Sequence, residues 1–253
     1  MAYTVVIDPG HGGSDPGATY QGRLEKDDNL NLALQVGEML SRDGFDVIYT
    51  RTEDIYDTPL EKANIANNSN GDFFISFHRN SNVVPNSSSG VETLVFDNSG
   101  VKSDVANAVN DNLAALGFNN RGVIERPNLV VLKRTKMPAI LIETGFINNT
   151  NDNLLFDSRF NEIANAISSA VSDTLSPNVT TPAIYKIQVG AFEHRDNAYS
   201  LSERLGIDGF PAYVEQSNGL YRVYVGSYEE LNNAVNTEKA LRNAGYQTFI
   251  TTN

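Results

Sequence analysis

Four short apolar runs constrain this chain most: Val5-Val6-Ile7, Phe45 to Thr50, Phe73-Phe74-Ile75-Ser76-Phe77 and Ala139-Ile140-Leu141-Ile142. Runs of this kind, rich in β-branched and aromatic residues, read as strands buried in a sheet. Stretches with helical spacing lie between them. Leu24 to Arg42 places Leu30, Ala33 or Leu34, Val36 or Gly37, and Leu40 on one face. Glu25, Asp27 and Asp28 crowd its start, where the helix dipole is positive. Pro59 to Ala66 reads as a second helix with Pro59 in its first turn. Val91 to Phe96 is expected to be a strand, Ser103 to Leu116 a helix, Gly117 to Asn128 irregular, Asn128 to Leu132 a short strand and Asn161 to Leu175 a helix. Strands alternating with helices predict an α/β fold, a layered and mostly parallel sheet flanked by helices.

The last part of the chain is organised differently. Tyr185 to Phe192 aligns without gaps with Tyr221 to Tyr228, at an offset of 36 residues. The same offset pairs Asn197-Ala198 with Asn233-Ala234, Leu205 with Leu241, and Tyr213-Val214 with Phe249-Ile250. Each copy reads strand, helix, strand. Two copies predict a small α+β, ferredoxin-like βαββαβ domain, one antiparallel sheet with two helices on one face. Ser176 to Pro182 has two prolines, polar residues and no periodicity, which is linker composition. The expected division is a domain over 1–176, a linker over 177–184 and a second domain over 185–253.

Composition narrows the chemistry. There is no cysteine, so a metal site must use histidine and carboxylate, and disulfides are excluded. The net charge of −12 argues against a nucleic-acid partner. The charge is uneven, −10 over residues 1–184 and −2 over 185–253. No apolar run approaches the roughly 20 residues of a membrane span, so no membrane partner is expected. No basic then apolar leader opens the chain, so either there is no secretory signal peptide or one has been cut away.

Only three histidines are available. His11 lies in the loop Asp8-Pro9-Gly10-His11-Gly12-Gly13-Ser14-Asp15-Pro16-Gly17, and His78 follows Phe77. Both therefore leave the carboxyl ends of expected parallel strands, which share one edge of such a sheet and are where open α/β sheets bind ligands. Glu25 opens the helix entered from the first loop, at the same edge. Two histidines and a carboxylate give zinc three protein ligands and leave a fourth position for water. Glu143 leaves a further strand end, where a carboxylate can take a proton during attack on a carbonyl. Other roles fit the same residues. His11 can be a hydrogen-bonding loop residue, Glu25 a helix N-terminal carboxylate, and Glu143 an ion-pair partner of Lys133 or Arg134. The glycine loop lacks the spacing of a phosphate-binding loop. His194, between Glu193 and Arg195, reads as solvated.

Ile7 to Gly13 with Asp15-Pro16-Gly17-Ala18, Glu25, Arg51-Thr52, Ile75 to Asn80, and Met137 to Asn149 together resemble the zinc-dependent N-acetylmuramoyl-L-alanine amidases of the amidase-3 family, over about residues 3–175. The resemblance implies zinc held by His11, Glu25 and His78, with Glu143 catalytic. It implies hydrolysis of the amide between the lactyl group of N-acetylmuramic acid and L-alanine in peptidoglycan. Two residues depart from the family pattern, Arg79 and Thr144. Neither removes a ligand, and both are expected to tune substrate contacts. No segment between His78 and Glu143 is long enough for an inhibitory helix, so an open groove is expected.

The repeat resembles a SPOR domain, a peptidoglycan-binding module whose open sheet face takes glycan strands stripped of stem peptides. Strand alternation puts Gln188 on one face of its strand, and Arg222 and Tyr224 together on one face of theirs. These three are the candidate glycan contacts; an ordinary solvated sheet face is the alternative. The whole plan resembles mother-cell lytic amidases of spore formers, or phage endolysins. The expected setting is synthesis in the cytoplasm and action on the wall after lysis or holin-type release. A catalytically inactive binding or regulatory protein on the same fold is the competing function, and a zinc peptidase cutting within the stem is a third.

Overall fold

The computed structural model describes residues 3–175 and 184–252. The expected linker falls almost entirely outside the described residues.

The chain runs through β1 (Thr4–Pro9), a two-residue pair β2 (Thr19–Tyr20) and β3 (Arg23–Leu24), α1 (Glu25–Arg42), β4 (Asp46–Tyr49), α2 (Pro59–Asn68) and β5 (Phe73–Asn80). It continues through β6 (Val91–Val95), α3 (Gly100–Ala115), β7 (Asn120–Glu125), α4 (Val130–Arg134), β8 (Ala139–Phe146), α5 (Thr150–Ser158) and α6 (Phe160–Leu175). After the linker come β9 (Tyr185–Phe192), α7 (Arg195–Ile207), β10 (Ala212–Ser217), β11 (Leu220–Tyr228), α8 (Leu231–Asn243) and β12 (Phe249–Thr251).

β4, β1, β5 and β8 are neighbours and parallel. All six residues of β1 are buried, as a parallel strand covered on both faces requires. β6 reverses direction against β8, and β7 runs parallel to β6 at the edge. Alternate residues feed two cores. Val5, Ile7, Phe73, Ile75, Phe77, Ile140 and Ile142 pack under α1, α3 and α6. Val6, Ile48, Phe74 and Leu141 face the other way, toward Ala66 of α2 and Leu132 of α4. α2 starts sharply because Thr58 accepts from the Glu61 backbone while the Glu61 side chain accepts from the Thr58 N–H, with Pro59 in the first turn.

Two expectations are corrected, and one helix is new. The segment expected to be irregular forms β7. It is a half-exposed edge strand with a glycine at its centre, so its alternation is weak and pairing with β6 supplies the order. Asn128 to Leu132, expected as a strand, leads into the short helix α4. A brief apolar run is ambiguous between the two forms, and here Val131 and Leu132 bury best against the outer core with α2 alongside. α5 was not anticipated at all; the Asn149 side chain caps it by accepting from the N–H groups of Asn151 and Asp152.

The C-terminal repeat has the expected βαββαβ order, with β10, β11, β9 and β12 antiparallel and α7 and α8 packed on one face. Its sheet does not stand apart. β12 pairs antiparallel with β4, so ten strands form one sheet in the order β10-β11-β9-β12-β4-β1-β5-β8-β6-β7. Thr252 N–H donates to Val47 O at 2.9 Å, and Val47 N–H donates to Thr252 Oγ1 at 2.6 Å. Thr52 and Glu238 bond side chain to side chain across the same boundary, in a buried position. Pairing removes the exposed edge that β4 would otherwise present.

Candidate metal centre

The loop after β1 is built to bring one imidazole to the sheet edge. His11 sits in the left-handed region, φ 59°, between glycines. Gly12 and Asp15 exchange both backbone hydrogen bonds, which pinches the loop shut. Arg51, almost wholly buried, holds it from beneath: its guanidinium donates to Pro9 O at 3.1 Å, Gly10 O at 2.9 Å and Lys26 O at 3.0 Å. Asp8 anchors the strand end through Thr50 Oγ1 at 2.6 Å, Ser76 Oγ at 2.7 Å and Lys62 Nζ at 2.8 Å.

His78 lies near the end of β5, one strand away, and the two imidazoles meet edge to face with centroids 4.9 Å apart. Gly10 lies hard against the His78 ring and leaves no room for a Cβ; Gly17 does the same against His11 and Glu25. Glu25, in the first turn of α1, completes the cluster. Its Oε1 lies 3.3 Å from His11 Nε2 and 3.0 Å from His78 Nδ1. One donor atom from each of the three residues lies within 4.8 Å of the others, a cluster that could hold a metal ion. The donor set suits zinc: two nitrogens and a carboxylate oxygen, with His11 and His78 half-buried and open on one side.

Supporting contacts orient each donor. Asp15 Oδ2 takes the Nδ1 side of His11 at 2.8 Å, which leaves Nε2 facing the cluster. Glu25 accepts from Ala18 N–H at 2.8 Å, from Arg79 N–H at 3.1 Å and from Asn29 Nδ2 at 3.3 Å. Burial disfavours charge on His11, but the carboxylates of Glu25 and Asp15 outweigh it and raise the imidazole to about 9. Burial likewise works against Glu25, yet the two imidazoles hold it well below the usual carboxylate range.

Glu143 stands opposite His78 in the β5–β8 register and opposite Glu92 in the β8–β6 register. One of its carboxylate oxygens is buried and without a hydrogen-bond partner, and it makes no ion pair among the described residues. The pairing with Lys133 or Arg134 is therefore absent. Burial pushes the carboxyl up to about 7, and Glu25 and Glu92 add to this against His78. Glu92 itself is engaged, by Arg121 Nε at 2.9 Å and Asn80 Nδ2 at 3.0 Å. The cluster thus joins three metal-competent donors to a carboxylate poised to exchange a proton near neutrality.

Asp15 and Arg51 are among the residues that carry the family resemblance, but the sequence assigns neither a role at the site. A carboxylate four residues after a loop histidine was a usable signal for Asp15; nothing local signals that Arg51 folds back beneath the loop. Arg79 and Thr144, the two departures from the family pattern, lie beneath the surface. Both are buried. Arg79 clamps α1 to α5, donating to Asp28 at 2.6 Å and Asn153 at 2.7 Å with its guanidinium 4.1 Å over the Phe156 ring.

The model of the family Amidase_3, N-acetylmuramoyl-L-alanine amidase, matches residues 5–173, and that of the SPOR domain matches 181–252. This chain belongs to the Amidase_3 family. It is 34% identical over 217 residues to the sporulation-specific N-acetylmuramoyl-L-alanine amidase of Bacillus subtilis strain 168, covering 83% of each chain. The solved N-acetylmuramoyl-L-alanine amidase of Clostridium difficile 630 superposes with a TM-score of 0.65 at 34% identity, over 70% of this chain and 99% of that one. The catalytic domain of CwlV from Bacillus (Paenibacillus) polymyxa does so with a TM-score of 0.63 at 32% identity, over 68% of this chain and 98% of that one. The protein is a peptidoglycan amidase with a second peptidoglycan-binding domain.

In the SPOR domain, Gln188, Arg222 and Tyr224 share the helix-free face, and Gln188 and Tyr224 are cross-strand partners. All three are largely buried, Gln188 to 6% exposure. Arg222 is occupied by Ser217 O at 2.8 Å, and Tyr224 lies beside Tyr213 and under Lys186 Nζ, 5.2 Å from its centroid.

Proposed function

We propose that this amidase is a zinc enzyme in which His11, Glu25 and His78 hold the metal and Glu143 is the catalytic acid–base. The convergence of those three donors beside a partnerless buried carboxylate carries this reading. Zinc, when bound, supplies a Lewis acid that polarises the scissile carbonyl and lowers the pKa of water.

The protein's own groups supply the rest. Asp15 orients the His11 ring through Nδ1, and the Ala18 and Arg79 N–H groups orient Glu25, so the donors already face one another. Glu143, with a carboxyl near 7, accepts the proton of the attacking water as its oxygen adds to the lactyl carbonyl. It then returns that proton to the departing nitrogen of L-alanine as the C–N bond breaks.

Chelation should abolish release of L-alanine amino groups from purified wall, and zinc should restore it. Glu143→Gln should keep stoichiometric zinc and lose ~100-fold or more in kcat. Full activity in that variant sinks the assignment of Glu143. A purified protein with no zinc and no hydrolysis would favour the inactive binding protein, and product still bearing L-alanine on muramic acid would favour a peptidase.

The setting is read as the mother cell of a spore former, with release to the wall at lysis. The length and similarity of the match to a sporulation-specific amidase support it. Expression confined to vegetative growth or to a phage lytic cassette would overturn it.

A further inference from the structure

A cleft of about 970 Å³ runs along α2 between the amidase domain and the SPOR sheet. This is at the upper end of the ~300–1,000 Å³ typical of ligand sites. It exists because the shared sheet places the helix-free face of β9 and β12 beside α2, which stands up from the same side of the sheet over β1 and β4.

The walls carry a consistent chemistry. From the amidase side come Asn64 and Asn68, exposed and four residues apart, so on one face of α2. From the SPOR side come Gln188 and Gln247. None of these four side-chain amides bonds to another described residue. Gln188 is only 6% exposed as a residue, yet its amide is not among the buried groups that lack a partner, so the polar end it keeps accessible lies on the wall of the cleft. Rings flank the amides, Tyr56 at the amidase wall and Phe249 on β12. Charge is sparse and mixed, with Asp57 and Glu61 against Arg242.

Paired donor–acceptor amides match the acetamido and hydroxyl groups of N-acetylated hexosamines, and aromatic rings cover the apolar faces of sugar rings. We propose that this cleft is a composite glycan site, in which α2 of the amidase domain and the SPOR sheet together grip one peptidoglycan glycan strand. The proposal rests on the reading of this protein as a peptidoglycan enzyme. It moves the sugar contacts from the occupied Arg222 and Tyr224 to Gln188, Gln247, Asn64 and Asn68. Tyr56, at one end of the cleft, packs against Gly13, two residues from His11.

The test is binding of the full-length protein to fluorescently labelled glycan strands stripped of stem peptides, followed by anisotropy. Asn64→Ala/Asn68→Ala should weaken binding about 10-fold, and Gln188→Ala by a similar factor. Alanine at two exposed helix positions preserves the fold, and an unchanged melting curve checks it. Wild-type affinity in Asn64→Ala/Asn68→Ala overturns the proposal, as does a wild-type protein that does not bind the strands. Stripped strands carry no scissile muramyl amide, so the two readings fail separately. Binding that depends on α2 without release of L-alanine amino groups from wall sinks the amidase mechanism alone. Release without such binding sinks the cleft.

Discussion

Lys62→Met should cost about 3–5 kcal/mol at neutral pH, the usual penalty for stranding one member of a buried ion pair. Lys62 is 3% exposed and Asp8 is fully buried. Burial opposes ionisation of Asp8, but Lys62 and the hydroxyls of Thr50 and Ser76 outweigh it and hold the carboxyl below its ordinary 3.8. A carboxyl with a depressed folded pKa stabilises the fold above its unfolded value and loses that contribution as pH falls through the folded one. Without Lys62 the sign reverses: two hydroxyls cannot compensate a buried charge, so the Asp8 carboxyl rises and takes a proton in mildly acidic solution. The penalty should therefore be largest near pH 7.5 and shrink toward pH 4.5. Urea titration followed by far-UV circular dichroism, in chelator to remove any contribution from metal, measures it at both pH values. Asp8→Asn/Lys62→Met should recover much of the loss, because an amide can stay bonded to both hydroxyls without a charge. A loss below about 1 kcal/mol at pH 7.5, or one equal at the two pH values, would refute the reasoning.

Other outcomes follow from single contacts. Asp15→Asn should weaken zinc binding ~10–100-fold in a chelator competition while leaving the fold intact, since it removes only the partner of His11; unchanged affinity would leave Asp15 without a role. Gly10→Ala drives a Cβ onto the His78 imidazole and should lower zinc stoichiometry, read by atomic absorption. Asp46, raised to about 6 by burial against the pull of Lys186, makes the fold less stable as pH climbs from near 3.8 through 6. Asp46→Asn should therefore be more stable than wild type at pH 7.5, by about 1 kcal/mol after allowing for partial exposure, with the gap closing below pH 4.

The buried strands, the flanking helices and the gapless repeat were legible in the sequence because each rests on local periodicity. The loop around His11 was legible as a site because glycine, a lone histidine and a strand end coincide there. Weakly patterned pieces escaped. β7 alternates poorly because half of it faces solvent, and α4 is an apolar run whose form depends on what α2 offers it. Arg79 shows the same limit at the site, since nothing local signals that its guanidinium is buried against Asp28 and Phe156.

The sequence by itself determined the two chain segments, their folds and the inventory of possible metal donors, since three histidines and no cysteine leave few combinations. Only the tertiary structure brought His11, Glu25 and His78, up to 67 positions apart, within reach of one another, because parallel pairing of β1 and β5 sets both loops on one edge. It alone joined β12 to β4. Backbone hydrogen bonds carry no side-chain signature, so no residue pattern announces that pairing or the cleft it creates beside α2.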